Sequence, residues 1–403
     1  MNAKIVVTCD KYKDSLSALQ VCSIVKKAIL EVDSKLEVII SPMADGGEGT
    51  VDTLVESHKG KYIYLEVMGP TGDTVKSSFG IIESNTAVIE MSAASGLWLV
   101  PIEKRNPLYT TTFGTGQLIK KALDLGCTKI IIGIGGSATT DAGMGAAQAL
   151  GVKFYDKKGN ILGFGGKELI NIASIDTKDI NPNIKNAKFF VASDVKNPLY
   201  GPDGAAYIYG PQKGADREDV EILDKGLRNF AYVIKKETGK DIEYISGAGA
   251  AGGLGAGLVV FLDAKIKPGT EVIIDATSLE EKIRNADLII TGEGSMDNQT
   301  FYGKSSYGVA LLAKKYKVPV VTINGSVNID YDKIDKEKQS FFAGNFSILN
   351  KPMSLDYAIS NAERLISFSS KELVRFYLTI ISRIKSNNLR TPISYPKNEF
   401  KPE

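Results

Sequence analysis

Short apolar segments alternate with amphipathic segments along most of the chain. The apolar segments are rich in β-branched residues, which predicts buried strands. They are residues 5–8, 36–40, 129–132, 189–193, 286–291 and 319–323. Several are followed by a loop and then by apolar residues at helical spacing, as in residues 16–32, for which Ser15 is the expected N-cap. This repeated order of strand and helix is typical of an α/β protein with parallel sheets.

The pattern changes between residues 61 and 91. Residues 62–67, 75–82 and 86–91 are strand-like, and the turn Gly69-Pro-Thr-Gly-Asp73 separates the first two, which predicts β-hairpins. The earlier alternation returns near Ile283. A chain of 403 residues also exceeds what one hydrophobic core usually supports. We therefore expect two domains, with boundaries near Met68 and Ile283.

A glycine-rich loop, Gly133-Ile-Gly-Gly-Ser-Ala-Thr-Thr-Asp-Ala-Gly-Met-Gly145, follows one predicted strand and precedes helix-forming residues 146–150. Backbone N–H groups in such a loop, and the positive end of the following helix, favour phosphate. Hydroxyls and a carboxylate suited to a phosphate–Mg²⁺ pair are supplied by Ser137, Thr139, Thr140 and Asp141.

Two other interpretations of this loop stay open. Residues Gly133–Ala138 also match the dinucleotide pattern G-x-G-x-x-A, and Asp156 ends the next strand-like segment, where it would contact a ribose. A tight strand-to-helix turn without a ligand would have the same composition.

Carboxylates recur in loops that follow predicted strands. Asp10 and Lys13 follow the first strand, Asp45 and Glu48 the second, Asp194 the strand 189–193, and Glu293, Asp297 and Lys304 the strand 286–291. Ligands of open α/β sheets bind at the carboxyl ends of strands, so these groups are candidates for Mg²⁺, substrate hydroxyls or proton transfer. The alternative for each is a solvated loop charge.

Composition narrows the function classes. A net charge of +2 gives no electrostatic basis for binding nucleic acid or an anionic membrane, and no apolar run approaches the ~20 residues of a membrane span. The N-terminus begins as a strand without a signal-peptide pattern, and three scattered cysteines have no metal or redox spacing, so we expect a cytoplasmic protein. With His58 as the only histidine, catalytic acids and bases are expected to be carboxylates and lysines.

Six motifs occur in one order along the chain. They are Asp10-x-x-Lys-x-Ser-Leu-Ser-Ala18, Ala44-Asp-Gly-Gly-Glu-Gly-Thr50, Gly135-Gly-Ser-Ala-Thr-x-Asp141, Asp194-Val-x-Asn-Pro-Leu199, Gly210-Pro-Gln-Lys-Gly214 and Thr291-Gly-Glu-Gly-x-x-Asp-x-Gln-Thr300. With these motifs the chain closely resembles the bacterial glycerate kinase family, which phosphorylates D-glycerate, in most members at the 2-hydroxyl. The likeness extends over roughly residues 3 to 383.

The resemblance implies a two-domain α/β fold with the active site in the interdomain cleft. A Rossmann-like parallel-sheet domain would comprise residues 1–67 and 284–386, an inserted α/β domain residues 68–283, and residues 387–403 would form a polar tail. It further implies ATP and Mg²⁺ as cofactors, D-glycerate as the small-molecule substrate, and a monomer or homodimer.

Site roles follow from combining the resemblance with the loop positions. Asp194 is the first choice for the group that accepts the hydroxyl proton, Asp45 is the second, and Lys13 or Lys213 would bind the glycerate carboxylate. Further substrate-binding residues are Asp10, Asn197, Gly46 and Gly47. The nucleotide would contact Gly135, Gly136, Ser137, Thr139, Asp141 and Lys304. Mg²⁺ would be held by some of Asp45, Asp194, Glu293 and Asp297.

Two rival functions remain at this stage. An NAD-dependent dehydrogenase of a small hydroxy acid would use Gly133–Ala138 and Asp156. A non-catalytic sugar-acid binding protein would keep the substrate loops and need no metal.

Overall fold

The structure is a computed structural model that describes residues 3–83 and 85–387, and the side chains of residues 385–387 are outside that description. The predicted tail therefore lies outside the described residues, except for the backbone of Asn387. The strands are β1 (Lys4–Val7), β2 (Glu37–Ile40), β3 (Lys61–Met68), β4 (Thr74–Ile82), β5 (Thr86–Glu90), β6 (Lys129–Gly133), β7 (Lys153–Tyr155), β8 (Ser174–Asp176), β9 (Lys188–Ala192), β10 (Lys265–Lys267), β11 (Leu288–Thr291), β12 (Ser295–Asp297), β13 (Val320–Asn324), β14 (Ser326–Asn328) and β15 (Gly344–Ser347).

Helices follow many of these strands. They are α1 (Ala18–Val32), α2 (Thr50–Ser57), α3 (Ser92–Ser95), α4 (Phe113–Asp124), α5 (Met144–Ala149), α6 (Ala205–Tyr209), α7 (Arg217–Thr238), α8 (Leu254–Leu262), α9 (Gly269–Ala276), α10 (Leu279–Ile283), α11 (Ser305–Tyr316), α12 (Lys336–Gln339), α13 (Leu355–Ser360) and α14 (Ala362–Asn387).

The first helix begins two residues later than predicted, because Ser17 rather than Ser15 is its N-cap. The Ser17 hydroxyl accepts a hydrogen bond from the backbone N–H of Gln20 at 3.3 Å, and the Gln20 side chain accepts one from the Ser17 N–H at 2.8 Å. This reciprocal capping box satisfies two N–H groups that the helix itself leaves unpaired.

A five-stranded parallel sheet has the strand order β15-β13-β11-β1-β2. It combines two strands from residues 4–40 with three strands from residues 288–347. Both faces of β1, which lies between β11 and β2, are buried. Val6 packs into a cluster on one face, whereas Ile5 and Val7 pack into a cluster with α1 and α14 on the other. Burial on both faces explains the continuous apolar run in the sequence.

A six-stranded sheet has the order β10-β9-β6-β5-β4-β3. The β3–β4 and β4–β5 pairs are antiparallel, as the hairpin pattern predicted, and the remaining pairs are parallel. The predicted α/β class with parallel sheets is thus confirmed.

The predicted domain boundary near Met68 does not coincide with the division of the strands between the two sheets. Strand β3, residues Lys61–Met68, was assigned to the first domain but pairs along its whole length with β4 of the six-stranded sheet. One hydrophobic cluster also contains Val6 of the first sheet together with Val88 and Ile131 of the second. The division into two domains with these boundaries stays a prediction.

The glycine stretch between residues 247 and 257 packs closely against the loop before α5. A Cβ added at Gly257 would lie 2.4 Å from the Ala142 carbonyl oxygen, and one at Gly252 would lie 2.0 Å from that of Thr139. These glycines therefore serve close backbone packing. Within residues 3–83 and 85–387, no helix combines the length and apolar character that crossing a lipid bilayer demands.

Candidate active site

Loops from the two sheets meet at their glycines. A Cβ added at Gly133, at the end of β6, would lie 2.3 Å from the carbonyl oxygen of Gly46, and one added at Gly269 would lie 1.7 Å from that of Asp45. Only residues without a side chain allow the backbones to approach this closely. We call this region the glycine junction and define it as Asp45–Gly47, Gly133–Gly136, Asp194 and Gly269.

Two of the predicted catalytic carboxylates lie at the glycine junction. Asp194 Oδ1 accepts a hydrogen bond from the Gly269 N–H at 3.0 Å, and Asp45 Oδ1 accepts one from the Gly47 N–H at 2.9 Å. Desolvation raises the pKa of Asp194, the Gly269 hydrogen bond opposes that shift, and the negative charge of Asp45 adds to it. The two carboxylates are therefore electrostatically coupled, although they follow strands of different sheets.

A cavity of about 700 Å³ opens at the carboxyl ends of β1, β11, β13 and β15. Its volume falls in the range of about 300–1,000 Å³ that is typical of small-molecule sites. One wall carries charged and hydroxyl groups, which we call the charged wall: Asp10, Lys13, Asp45, Glu293, Lys304 and Ser305. Because Asp45 belongs to this wall and to the glycine junction, the cavity and the junction adjoin.

Asp10 is the carboxylate that connects the charged wall to the first helix turn of α11. Its Oδ2 accepts a hydrogen bond from the Ser305 hydroxyl, and its Oδ1 accepts one from the Lys11 N–H at 2.6 Å. Burial raises the pKa of Asp10 to about 7, against the effect of the Ser305 hydrogen bond, and the charges of Asp45 and Glu293 raise it further. Such an accumulation of negative charge suits a bound cation.

Lys304 neutralises part of the charged wall. Its Nζ lies 3.2 Å from Glu293 Oε2 and 3.2 Å from Asp297 Oδ1, and Thr300 donates a hydrogen bond to the other Glu293 oxygen. Burial alone would lower the pKa of Lys304, but the two carboxylates raise it, so the side chain stays protonated. Burial raises the pKa of Glu293 and the Lys304 charge opposes that shift.

The four predicted Mg²⁺ ligands do not form one cluster. Glu293 and Asp297 share Lys304, whereas Asp45 and Asp194 lie at the glycine junction. Among the described residues, no group of three or more His, Cys, Asp or Glu side chains is arranged to hold a metal ion. A metal at this site would need ligands from a bound substrate as well.

Asp141 does not face a ligand, which corrects its predicted role in nucleotide binding. Its carboxylate is completely buried and accepts hydrogen bonds from the N–H groups of Thr112 at 2.8 Å, Gly143 at 3.1 Å and Gly145 at 3.3 Å. The last two belong to the beginning of α5. The helix terminus that was expected to bind phosphate therefore has a carboxylate of the protein itself as its anion. Burial raises the pKa of Asp141, and these hydrogen bonds oppose the shift.

Of the other glycine-loop residues that were predicted to contact the nucleotide, two are exposed and two are buried. Gly135 and Gly136 are exposed, and Gly135 approaches Gly47 at the glycine junction. Ser137 and Thr139 are buried, and Ser137 forms a β-bridge with Gly96. Only the two glycines are accessible from solvent, because the chain turns inward after Gly136.

Lys213 and Asn197 are engaged within the protein rather than in the cavity. Lys213 is 1% exposed, and its Nζ donates a hydrogen bond to the Thr139 carbonyl oxygen. Asn197 donates to the Asp203 carbonyl oxygen at 2.8 Å and accepts from the Tyr209 hydroxyl at 2.7 Å. Lys213 is therefore not placed to bind a substrate carboxylate, and Asn197 holds the loop after β9.

The dinucleotide interpretation of Gly133–Ala138 lacks its expected topology. In that motif the strand after the helix lies parallel to the first strand in the same sheet. Here β7 pairs antiparallel with β8 in a separate two-stranded sheet, and β6 lies between β5 and β9. Asp156 instead accepts hydrogen bonds within its own turn, from Lys158 and Asn160.

We expect the Lys213→Met variant to change how stability depends on pH. Burial lowers the pKa of Lys213 from 10.5 to about 7, and the charge of Asp141 opposes that shift. Between these values the unfolded chain binds a proton that the folded protein does not, so this group makes stability rise with pH, by up to about 1.4 kcal/mol per pH unit. Urea unfolding at about pH 7.5, 8.5 and 9.5 should show this rise in the wild type relative to the variant. Parallel stability curves would contradict the buried position of the amine.

The Gly269→Ala variant tests the glycine junction. The new methyl group would overlap the Asp45 carbonyl oxygen, so the two loops must separate. We expect turnover to fall at least about tenfold and the free energy of unfolding to fall by about 1–3 kcal/mol. Gly163→Ala is the matched control, because a Cβ there meets no heavy atom within 4 Å. Equal activity of the two variants in a steady-state assay would argue against a functional junction.

Two parts of the cavity were not predicted from the sequence. Ser305 is not among the predicted site residues, although its hydroxyl donates a hydrogen bond to Asp10. The apolar part of the lining comes from the loop after β15, from α13 and from the start of α14. The sequence predicts a last strand at residues 347–349, whereas β15 ends at Ser347, so Ile348 and Leu349 belong to the loop that lines the cavity.

Comparisons with known proteins were made for the whole chain. A family model described as the glycerate kinase family matches residues 5–378. A glycerate kinase from Halalkalibacterium halodurans is 47% identical over 370 residues, which cover 92% of this chain and 97% of the relative. A glycerate 2-kinase from Escherichia coli K12 is 46% identical, with the same two coverages. A crystal structure of a protein described as glycerate kinase 2, from Salmonella typhimurium LT2, superposes with a TM-score of 0.87 at 40% identity and covers 95% of this chain and 100% of that one.

Proposed function

The chain belongs to the glycerate kinase family, and we propose that it transfers the γ-phosphate of ATP to a hydroxyl of D-glycerate, giving 2-phosphoglycerate and ADP. One observation carries the proposal. A cavity lined by Lys13, Lys304 and several carboxylates adjoins the coupled pair Asp45 and Asp194. Phosphoryl transfer needs such groups, because the protein contributes mainly position and charge neutralisation.

We place the triphosphate along the charged wall, with its terminal phosphate toward Asp45 and the exposed backbone of Gly135 and Gly136. D-glycerate would lie at the glycine junction, beside the half-buried Gly47. Gly46, also predicted to bind the substrate, is buried instead, and a Cβ there would lie 2.7 Å from the Ala192 Cβ at the end of β9. Lys13 lines the cavity and is exposed, so it is the lysine we assign to the glycerate carboxylate. This replaces Lys213, whose amine is buried.

The donor set fits Mg²⁺ that arrives with the nucleotide. Mg²⁺ is usually held by one or two carboxylates together with substrate phosphates and water, so a cluster of three protein carboxylates is not required. Asp45 and Glu293 line the cavity and are the ligands we propose. When bound, the ion neutralises charge on the phosphates and orients them. Asp297 would act through Lys304 instead, and Asp194 is assigned to proton transfer.

In the proposed step, Asp194 accepts the proton of the glycerate 2-hydroxyl while the oxygen forms a bond to the γ-phosphorus. The bond from that phosphorus to the β–γ bridging oxygen breaks, and ADP leaves with the electron pair. A carboxylate is basic enough for this step, because in a loose transition state the hydroxyl loses its proton late. The raised pKa of Asp194 favours that transfer.

The proposal also includes a cytoplasmic location, where ATP is available, and a monomer or homodimer as the assembly. The kinase proposal replaces the dehydrogenase alternative. A dinucleotide site would need β7 beside β6 in one parallel sheet, whereas β7 pairs antiparallel with β8. A sugar-acid binding protein is the remaining alternative.

An ADP-release assay with Mg²⁺ and ATP over a series of small hydroxy acids tests the proposal. We expect release that depends on D-glycerate and is abolished by chelating Mg²⁺. Binding of D-glycerate without ADP release would favour the non-catalytic alternative. ADP release from a different hydroxy acid would overturn the substrate assignment.

A further inference from the structure

His58 is the only histidine in the sequence, and it stands directly after α2. Its Nδ1 lies 2.9 Å from the carbonyl oxygen of Leu54, in the last turn of α2. Its Nε2 lies 3.1 Å from the carbonyl oxygen of Ala276, the last residue of α9. The ring therefore joins the C-terminal ends of two helices that lie far apart in the sequence.

The opposite ends of the same two helices lie at the glycine junction. α2 begins at Thr50, just after the loop that carries Asp45, and α9 begins at Gly269, whose N–H donates to Asp194. Both helices are eight residues long, about 12 Å, and both contribute to one buried hydrophobic cluster. The contact at His58 is thus close enough to the junction to set how the two helices, and the loops before them, lie relative to each other.

The two ring contacts of His58 have the same polarity. Each is to a carbonyl oxygen, which only accepts hydrogen bonds, so a neutral imidazole with one N–H can donate to one of them and an imidazolium to both. The Ser57 hydroxyl lies 3.1 Å from Nδ1, and Glu83 Oε1, just after β4, lies 3.9 Å from Nε2. In the part of the chain that the structure describes, Glu83 is the only carboxylate within 4 Å of the ring. The doubly protonated ring is therefore the form that makes both contacts.

We propose that His58 is a positioning residue of the reaction, an inference that rests on the proposed kinase function. With both nitrogens donating, the ring holds the ends of α2 and α9 together and so keeps the glycine junction in the arrangement that couples Asp45 to Asp194. Loss of one ring proton releases one of the two helix ends. His58 acts through the two helices and not through a contact with the substrate, so turnover depends on the protonation of a group outside the cavity.

The single histidine allows a direct test in the wild-type chain, prepared without a histidine tag and labelled with ¹⁵N-histidine. The measurement is made at about pH 5.5, near the acidic end of the range in which imidazole changes its charge. We expect two ring N–H protons in the NMR spectrum, because a hydrogen bond slows the exchange of each with water. One ring N–H proton, or none, would overturn the double contact.

The His58→Phe variant keeps a ring and removes both donors. Glu83→Gln is the matched control, because it removes the neighbouring charge and leaves both carbonyl contacts. We expect the kcat of His58→Phe for D-glycerate to be about tenfold below wild type near pH 6, with the KM for ATP little changed. The deficit should shrink as the pH rises toward about 8.5, because the wild-type ring then loses one contact as well. The control should stay within about twofold of wild type. A deficit of the same size at every pH, or no deficit, would overturn the positioning role.

Hydrogen exchange, followed by mass spectrometry near pH 6, separates this inference from the proposed function. The segments that contain Gly47 and Gly269, whose N–H groups hold the two carboxylates, should exchange about tenfold faster in His58→Phe than in Glu83→Gln. Helix α7, which packs in another hydrophobic cluster, is the internal reference. Faster exchange at the junction, in a chain whose wild type releases no ADP with D-glycerate, would refute the kinase proposal and leave the link from His58 to the junction standing. Unchanged exchange in a chain that does release ADP would overturn the link alone.

Discussion

Replacing Asp194 with asparagine is expected to slow turnover of D-glycerate by about 10²- to 10⁴-fold, the usual effect of removing a positioned base. The amide keeps an oxygen that can accept the Gly269 N–H, so the contact between β9 and α9 is preserved. It cannot take a proton from the substrate hydroxyl. The loss should appear in kcat, with the KM for ATP little changed, because the nucleotide lies along the charged wall.

Asp124→Asn is the control for this substitution. Asp124 is a surface carboxylate that pairs with Lys120 at 2.6 Å on α4, and its variant should retain wild-type kinetics. Near-normal turnover of Asp194→Asn would remove Asp194 from the mechanism. Asp45→Asn would then be the next variant to assay, since Asp45 lines the cavity and is coupled to Asp194.

The Lys304→Met variant is expected to lower kcat/KM for ATP by about 10²-fold. Lys304 supplies a fixed positive charge next to the position we assign to the phosphates, and one such stabilising group typically contributes a factor of this size. Its removal also leaves Glu293 and Asp297 without their common cation, so the charged wall repels a triphosphate more strongly. Steady-state kinetics at varied ATP concentration measure the effect.

Lys314→Met is the matched comparison. Lys314 lies on α11, the helix that begins directly after Lys304, and pairs with Glu337 at the surface. We expect kcat/KM within about twofold of the wild type for this variant. Comparable losses in both lysine variants would indicate a general effect on α11 instead of a contact between Lys304 and ATP.

The acidic part of the cavity can be predicted from the sequence, because residues that directly follow neighbouring parallel strands meet at one edge of the sheet. Asp10 and Glu293 each stand just after an apolar β-branched run, and the structure brings both to one cavity because β1 and β11 are neighbours in a parallel sheet. Asp45 and Asp194 were placed in different predicted domains and were expected to face one interdomain cleft. They meet although their strands belong to different sheets, because glycines at 46, 133 and 269 let the loops approach.

Burial is what the sequence could not indicate. Asp141 and Lys213 stand in loops that contain glycine, as Asp45 does, and both were expected to bind ligands. Tertiary packing decides otherwise: Asp141 accepts the N–H groups at the start of α5, and Lys213 donates to the Thr139 carbonyl oxygen. Pairing within the protein removes the cost of burying these polar groups.

The apolar lining of the cavity shows the opposite problem. Apolar residues recur at helical spacing from Leu355 onward, at Leu355, Ile359, Ala362 and Ile366, which predicts one helix from about residue 354 to residue 384. In the structure Asn361 separates α13 from α14, with its N–H and its side-chain amide both donating to the Tyr357 carbonyl oxygen. The short helix α13 thereby lines the cavity.

Phosphorus NMR of the reaction of ATP, Mg²⁺ and D-glycerate tests the central claim most directly. The account predicts one new phosphomonoester signal, that of 2-phosphoglycerate, growing in equal amount to ADP and absent without glycerate. Inorganic phosphate as the only new signal would contradict the account, because it would show hydrolysis of ATP without transfer to the substrate.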